Sequence, residues 1–206
     1  MRGVGLAAHD RDRISEAIRA AEANTCGEIY VVVARAVDDF RFVPVLWAAI
    51  AALILPWPLH LLTTLSSTTI LLAQAMFFAV LASALSHPRL RHALVPRGIA
   101  AESSRKHAHA LFFAHGVHLT EARTGVLIYV ALLHRRVEIV ADAGIHGKVE
   151  QSAWDELARE VSDAARAGRL GDGIVNAVRR AGALLAAHFP PKPDDVNELS
   201  DRVVEI

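Results

Sequence analysis

A long stretch of this chain contains no charged side chain. From Phe42 through Pro88 there is no Asp, Glu, Lys or Arg, although the chain has 22 acidic and 22 basic residues elsewhere. The stretch is long enough for two passes of about 20 residues each across the hydrocarbon of a bilayer. It is interrupted at 62–69 by a polar but uncharged segment, where such a pair would turn. The sequence therefore predicts a transmembrane hairpin.

The two predicted spans cover about residues 43–62 and 70–87. Pro56 and Pro58 lie near the end of the first span, and we expect them to bend it because proline removes a backbone donor. The alternatives are a buried helical pair in a globular protein and an interfacial hairpin that dips into the bilayer without crossing it. The length of the uncharged stretch favours two spans.

Basic residues flank the hairpin and are absent from its connecting loop. By the positive-inside rule, both termini and the folded domain are expected in the cytoplasm, with the Thr/Ser loop on the outer side of the inner or plasma membrane. The flanking basic residues are Arg35, Arg41, Arg89, Arg91, Arg97, Arg105 and Lys106.

The bulk properties exclude some classes of partner and cross-link. Formal net charge is zero, so the strongly basic surface typical of a nucleic-acid-binding domain is not expected. Cys26 is the only cysteine, which excludes an intrachain disulfide. The partners that remain are the lipid bilayer, through the hairpin, and a membrane protein.

The rest of the chain alternates helices with short apolar strands and predicts an α/β sandwich, in which helices flank a small central sheet. Because strands occur before and after the hairpin, they can share one sheet only if the number of spans is even. The predicted helices are 10–24, 99–116, 148–167 and 173–188, and the predicted strands are 28–34, 124–131 and 136–141. The predicted segments are 1–41 (helix and first strand), 42–88 (hairpin), 89–190 (remainder of the domain) and 191–206 (polar tail).

Several short segments of the chain carry motifs in a characteristic order: Gly27–Val33, Thr120–Ile128, Arg136–Ile145, Trp154, Gly173–Ile174 and Leu184–Pro190. Their order resembles that of the TPM domain family, in its bacterial branch with an inserted transmembrane hairpin. The resemblance implies an α/β sandwich, and it covers essentially the whole chain. Some members of that family bind calcium through acidic loops, and the name of the domain includes the word phosphatase. Other members are accessory factors of membrane complexes.

Acidic residues follow two of the predicted strands. Asp38 and Asp39 come after the first strand and Asp142 after the third. If these strand ends are neighbours, three carboxylates could bind Ca²⁺ or Mg²⁺ as hard oxygen ligands. The alternative is that Asp38 and Asp39 form a solvated turn and that Asp142 caps a turn through its side chain.

The sequence offers little support for catalysis. It has no Gly-x-Ser-x-Gly nucleophile elbow and no Gly-x-x-x-x-Gly-Lys phosphate loop. We therefore expect a membrane-anchored binding or accessory protein rather than an enzyme. The alternative function is a divalent-cation-dependent phosphatase that uses Asp142.

Overall fold

The computed structural model describes residues 6–35, 42–87, 96–133, 135–192 and 196–206. The chain divides into two compact units. Met1–Val37 together with Ala101–Ile206 form an α/β domain, and Asp38–Ala100 form a helical hairpin. The hairpin is thus an insertion into the sequence of the α/β domain.

The elements alternate along the chain in the order that the sequence predicts. They are α1 (Ala8–Glu22), β1 (Glu28–Ala34), α2 (Phe42–Ile54), α3 (Pro56–Leu62), α4 (Ser67–Leu85), α5 (Arg97–Ala114), β2 (Gly125–Ala131), β3 (Arg136–Ala141), α6 (Gln151–Arg166), α7 (Leu170–His188) and β4 (Val204–Glu205).

A mixed four-stranded sheet forms the centre of the α/β domain, in the order β3-β2-β1-β4. β1 and β2 pair in parallel along their whole length, from Glu28 opposite Gly125 to Ala34 opposite Ala131. β3 pairs antiparallel with β2, and β4 pairs in parallel with β1. Every residue of β1 and β2 is buried, as their runs of β-branched and other apolar residues indicate, whereas β3 is mostly half-buried.

Helices cover both faces of the sheet, so the fold has three layers. One face of β1, which includes Val31, packs in a core with α1, α6 and α7. The other face, which includes Val32, packs in a second core with Ala108 and Phe112 of α5. Successive side chains of a strand point to opposite faces, which explains how one strand contributes to both cores. The α/β sandwich expected from the sequence is confirmed.

The hairpin unit consists of α2, α3 and α4. Leu55 separates α2 from α3 directly before Pro56, as the two prolines of this segment predict. α2 packs against α4, and the buried side of α2 includes Ala48 and Ala52, whose spacing of four residues permits close helix approach. Ser66 caps α4 by accepting a hydrogen bond from the N–H of Thr69.

The C-terminal segment differs from the sequence expectation. Residues 191–206 were expected to be a polar tail, yet β4 lies beside β1, with Val32 opposite Val204. The Ile206 N–H donates to the Val33 carbonyl at 3.1 Å, and the Arg35 N–H donates to the Ile206 carbonyl at 2.8 Å. Local sequence predicts such a short strand poorly, because its pairing depends on the available edge of β1. The other predicted elements agree with the structure to within three residues at each end.

Gly125 begins β2 where the chain passes very close to the turn after α5. A Cβ atom at this position would lie 2.2 Å from the carbonyl oxygen of Val117. The clash involves backbone atoms, so relieving it would require one of the two segments to shift. We therefore expect Gly125→Ala to lower the free energy of unfolding by about 2–3 kcal/mol, in the range of overpacking substitutions. Thermal unfolding of the detergent-solubilised full chain, followed by circular dichroism, measures this.

Gly98 provides the matched control. A Cβ atom there would have no neighbour within 4 Å, and Gly98 lies in a helix, where alanine is preferred to glycine. Gly98→Ala should leave the melting temperature unchanged or raise it slightly. Equal melting temperatures for Gly125→Ala and the original chain would show that the close contact at Val117 does not constrain the fold.

Candidate functional site

Asp142 directly follows β3 and is 6% exposed. Its Oδ1 accepts a hydrogen bond from the Ala143 N–H at 2.6 Å, and its carbonyl accepts one from the Ile145 N–H at 3.0 Å. His146 Nδ1 also lies 3.0 Å from this carbonyl, and Arg123 Nη1 lies 4.0 Å from Oδ2. Asp142 thus stabilises the turn after β3, which agrees with the turn-capping alternative. Its Oδ2 accepts no hydrogen bond from the described residues.

The sheet separates the two strand ends that the metal hypothesis assumed to be neighbours. β3 runs antiparallel to β2 and therefore to β1, and β2 lies between them. The ends of β1 and β3, at Ala34 and Ala141, consequently lie at opposite ends of the sheet, about 17 Å apart along the strands. The condition of neighbouring strand ends is therefore not met by the described strands. It could not be checked from the sequence, because the order of strands along the chain does not give their order or direction in the sheet.

The residues present around Asp142 do not fit a calcium or magnesium site. Ca²⁺ takes six to eight oxygen ligands in most protein sites, and Mg²⁺ takes six. Among the described residues, no group of three or more His, Cys, Asp or Glu side chains could hold a metal ion. Asp38 and Asp39 lie outside the described residues, so their part in a metal site stays a prediction.

Acidic side chains lie close together at the start of β1. Glu22 Oε1 accepts a hydrogen bond from the Ile29 N–H at 2.8 Å, and Glu28 Oε1 accepts one from the Glu198 N–H at 3.1 Å. The pKa of Glu22 is raised to about 8, chiefly by burial and further by the charges of Glu28 and Asp201. Glu22 is therefore largely protonated at neutral pH. The hydrogen bonds connect α1, β1 and the C-terminal segment, which gives this cluster a structural role.

A groove of about 650 Å³ runs along β3, and we call it the β3 groove. Its floor is β3, one wall is α5 and the other wall is α6. A smaller pocket of about 260 Å³ shares Trp154 with it and continues under the loop that follows β3. The β3 groove is lined by Arg105, His109, Val137, Glu138, Ile139, Val140, Ala141, His146, Gln151, Trp154, Asp155, Ala158 and Arg159.

β3 presents part of its backbone to the groove. The Asp142 N–H donates to the Gly125 carbonyl at 2.9 Å, which identifies these residues as a hydrogen-bonded pair. In an antiparallel ladder such pairs alternate, so Glu138 and Val140 bond to β2. Val137, Ile139 and Ala141 then direct their N–H and C=O groups away from β2, into the groove. None of these groups has a protein partner among the described residues.

The two walls differ in chemistry. Val137, Ile139 and Ala141 pack in the same core as Trp154 and flank an apolar side of the groove. The α5 side carries Arg105 and His109. The α6 rim adds Asp155 and Arg159, whose Nε donates to the Asp155 carbonyl at 3.2 Å. The α6 side of the groove is therefore apolar next to β3 and charged at its rim, whereas the α5 side is polar.

A half-buried carboxylate lies in the floor. Burial raises the pKa of Glu138, and the positive charges of Arg136 and Arg105 oppose that effect. Next to it in the sheet, the pKa of Tyr129 is raised to about 12 by burial and by the charge of Glu138. The Tyr129 hydroxyl and Ser104 Oγ are both buried and have no hydrogen-bond partner among the described residues. On the α5 side, the lining of the groove thus combines the half-buried Glu138 with Arg105 and His109.

Sequence reasoning did not identify the β3 groove. The signal that could have shown it is the alternation of charged and apolar residues in Arg136-Val137-Glu138-Ile139, which is typical of a strand with one covered face. β1 and β2 lack such alternation. The contrast predicts β3 as an edge strand, although the residues of α5 and α6 that form the walls require the three-dimensional structure.

Comparison with known proteins identifies one family model and one solved structure that are similar to this chain. The TPM domain model matches residues 86–184. The NMR structure of the BA42 protein from the psychrophilic bacterium Bizionia argentinensis is similar to this chain, with 23% identity and a TM-score of 0.60. The alignment covers 98% of this chain and 95% of that chain, and at this identity it supports the fold alone. The curated proteins gave no match.

The raised pKa of Glu22 makes stability depend on pH. The folded chain holds this proton up to about pH 8, whereas the unfolded chain releases it near the ordinary glutamate value of 4.5. Stability from this group is therefore fully present below about pH 4.5 and is lost as pH rises to about 8. Glu22→Gln stays neutral and keeps an oxygen for the Ile29 N–H. We expect it to raise stability at pH 8.5 by at least about 1 kcal/mol, or about 2–4 °C in melting temperature.

Thermal unfolding of both chains from pH 5 to pH 9 measures this difference. Glu16→Gln is the matched control, because Glu16 is an exposed glutamate on the same helix. The control should keep the original pH profile. If the melting temperatures of Glu22→Gln and of the original chain change with pH in the same way, the raised pKa assigned to Glu22 would be contradicted.

Proposed function

We propose that this chain, which belongs to the TPM domain family, is a membrane-anchored binding domain that supports another component of the membrane. The observation that carries the proposal is the joining of a complete α/β domain to an apolar helical hairpin within its own sequence. The groove along β3 provides a surface for binding.

Membrane anchoring is supported by the length and exposure of the apolar helices. Phe42–Leu62 and Ser67–Leu85 are each long and apolar enough to cross a bilayer. A core helix of a soluble protein would be mostly buried, yet only 22% and 6% of their most apolar windows are buried. Their outward side chains include Trp57, Leu62 and Leu72, which are 67–82% exposed. Such a surface favours lipid as its solvent.

The pairing of β1 with β2 supports one location for the whole α/β domain. The two strands flank the hairpin in sequence and pair along seven residues. Because they belong to one sheet, β1 and β2 must lie on the same side of the membrane. The hairpin between them can therefore cross the membrane only an even number of times. The basic residues that flank the hairpin support a cytoplasmic location for this domain and for both termini.

Binding is favoured over catalysis by the state of the acidic residues. The Asp142 carboxylate stabilises the turn after β3, and the Glu22 and Glu28 carboxylates bond to backbone N–H groups. A phosphatase that uses a metal ion would need several carboxylates that converge on one point. No specific observation among the described residues favours that alternative.

Thiol labelling tests the membrane arrangement. In a Cys26→Ser background, single cysteines replace Thr64 in the α3–α4 loop and Ser200 in the C-terminal segment, both exposed. In intact spheroplasts, a membrane-impermeant maleimide should label Thr64→Cys, and it should label Ser200→Cys only after permeabilisation. Equal labelling of both cysteines before permeabilisation would contradict the proposed arrangement.

Photo-crosslinking tests binding in the same membranes. A p-benzoylphenylalanine in place of Arg159, at the rim of the β3 groove, should give a discrete adduct with a membrane component. The matched control replaces Glu160, which pairs with Arg180 on α7 and lies outside the groove lining. An adduct at the Arg159 position and none at the Glu160 position is expected. Equal adducts at both positions, or none at either, would count against binding at this surface.

A further inference from the structure

We propose that the β3 groove binds an extended segment of a partner protein, which adds to β3 as a further strand and alternates apolar with acidic side chains. This inference rests on the proposed binding function and names the kind of partner that the groove takes. It follows from the backbone of β3, from the shape of the groove and from the chemistry of its two sides.

The backbone of β3 supplies the hydrogen-bonding groups. Val137, Ile139 and Ala141 direct their N–H and C=O groups into the groove, where the described residues leave them without partners. The opposite edge of the sheet is different, because β4 pairs with β1 there. Exposed strand edges are templates for a further strand, whose main-chain hydrogen bonds give affinity. β3 is therefore the edge of this sheet at which strand addition can occur.

The helices on the two sides of β3 leave room for a single added strand but not for a second sheet with its own helices. α5 and α6 rise on the two sides of β3, with Arg105 and Arg159 among the residues that line them. A second copy of this domain would bring its own flanking helices, which would meet these walls. The groove volume of about 650 Å³ lies within the ordinary range of ligand sites. β3 has six residues, which corresponds to about 20 Å of extended chain.

The sides of the groove determine the preferred side chains. Residues of the added strand opposite Val137, Ile139 and Ala141 would face Trp154 and Ala158, so apolar side chains fit there. The alternating residues would face the α5 side. Arg105 and His109 lie on that side, and Arg105 has no carboxylate partner at salt-bridge distance among the described residues. Glu138 also faces this side, where the positive charges of Arg136 and Arg105 oppose its own. The side therefore carries more positive than negative charge, which acidic side chains at the alternating positions complement.

A defined peptide tests this mode of binding. The probe is a fluorescein-labelled peptide of about eight residues that alternates Val or Ile with Glu, titrated against the full chain in detergent by fluorescence anisotropy. N-methylation of the residues whose N–H groups face β3 should weaken binding about tenfold or more, because several hydrogen bonds are lost. N-methylation of the intervening residues should have little effect. Replacing Glu by Lys should also weaken binding about tenfold.

Substitutions in the chain test the same contacts from the other side. Ile139→Pro removes an N–H that points into the groove and leaves the β2–β3 ladder bonds in place, as prolines on edge strands do. It should weaken peptide binding at least about threefold, whereas Ile139→Val, which keeps the N–H, should bind as before. Arg105→Glu should weaken the Glu peptide and strengthen the Lys peptide. If Ile139→Pro does not fold, binding of the N-methylated peptides to the original chain still tests whether the peptide adds to β3 as a strand.

Other results would overturn the inference. Equal binding of the two N-methylated peptides would exclude strand addition, and a preference for the Lys peptide would exclude an acidic segment. An adduct at the Arg159 position with twice the mass of the chain would identify a second copy as the occupant. If membrane adducts form at that position but no peptide binds at millimolar concentration, the binding function stands and the extended-segment inference fails. If peptides bind but no membrane adduct forms, the inference stands and the proposed function fails.

Discussion

Parallel pairing of β1 with β2 joins the two parts of the chain that flank the helical hairpin. Seven residue pairs form this contact, and the side chains of both strands are buried on the two faces of the sheet. The connection between the strands contains the whole hairpin, so the α/β domain can form only when that connection returns to its starting side. The same pairing makes β3 and β4 the outer strands of the sheet. It therefore requires that any membrane crossings of the hairpin be even in number, and it leaves β3 at an edge of the sheet.

Much of the fold could be predicted from the sequence because its strongest signals are local. The uncharged stretch from Phe42 to Pro88 contains α2, α3 and α4, and the break at Leu55 lies where Pro56 interrupts helical hydrogen bonding. Continuous β-branched runs predicted β1 and β2 as covered strands. Only the structure shows that Gly125 lies against the backbone of Val117.

What the sequence did not predict depends on contacts between distant segments. β4 forms because β1 has a free edge, and the short run Val203-Val204-Glu205-Ile206 does not by itself indicate that edge. The metal hypothesis required neighbouring ends of β1 and β3, and the direction of β3 instead places Asp142 away from the end of β1. The β3 groove needs three elements together, α5, β3 and α6, and only the alternation within β3 is visible in the sequence. A candidate site of this kind follows from topology rather than from a motif.

Residue-resolved amide hydrogen exchange of the full chain in lipid nanodiscs tests the central claim, that one sheet joins both flanks of the hairpin and leaves β3 open. The account predicts slow exchange along β1 and β2, slow exchange at Glu138 and Val140, and fast exchange at Val137, Ile139 and Ala141. Uniform protection of all β3 amides would contradict the open edge. Fast exchange throughout β1, with β2 still protected, would contradict the pairing that joins the two halves.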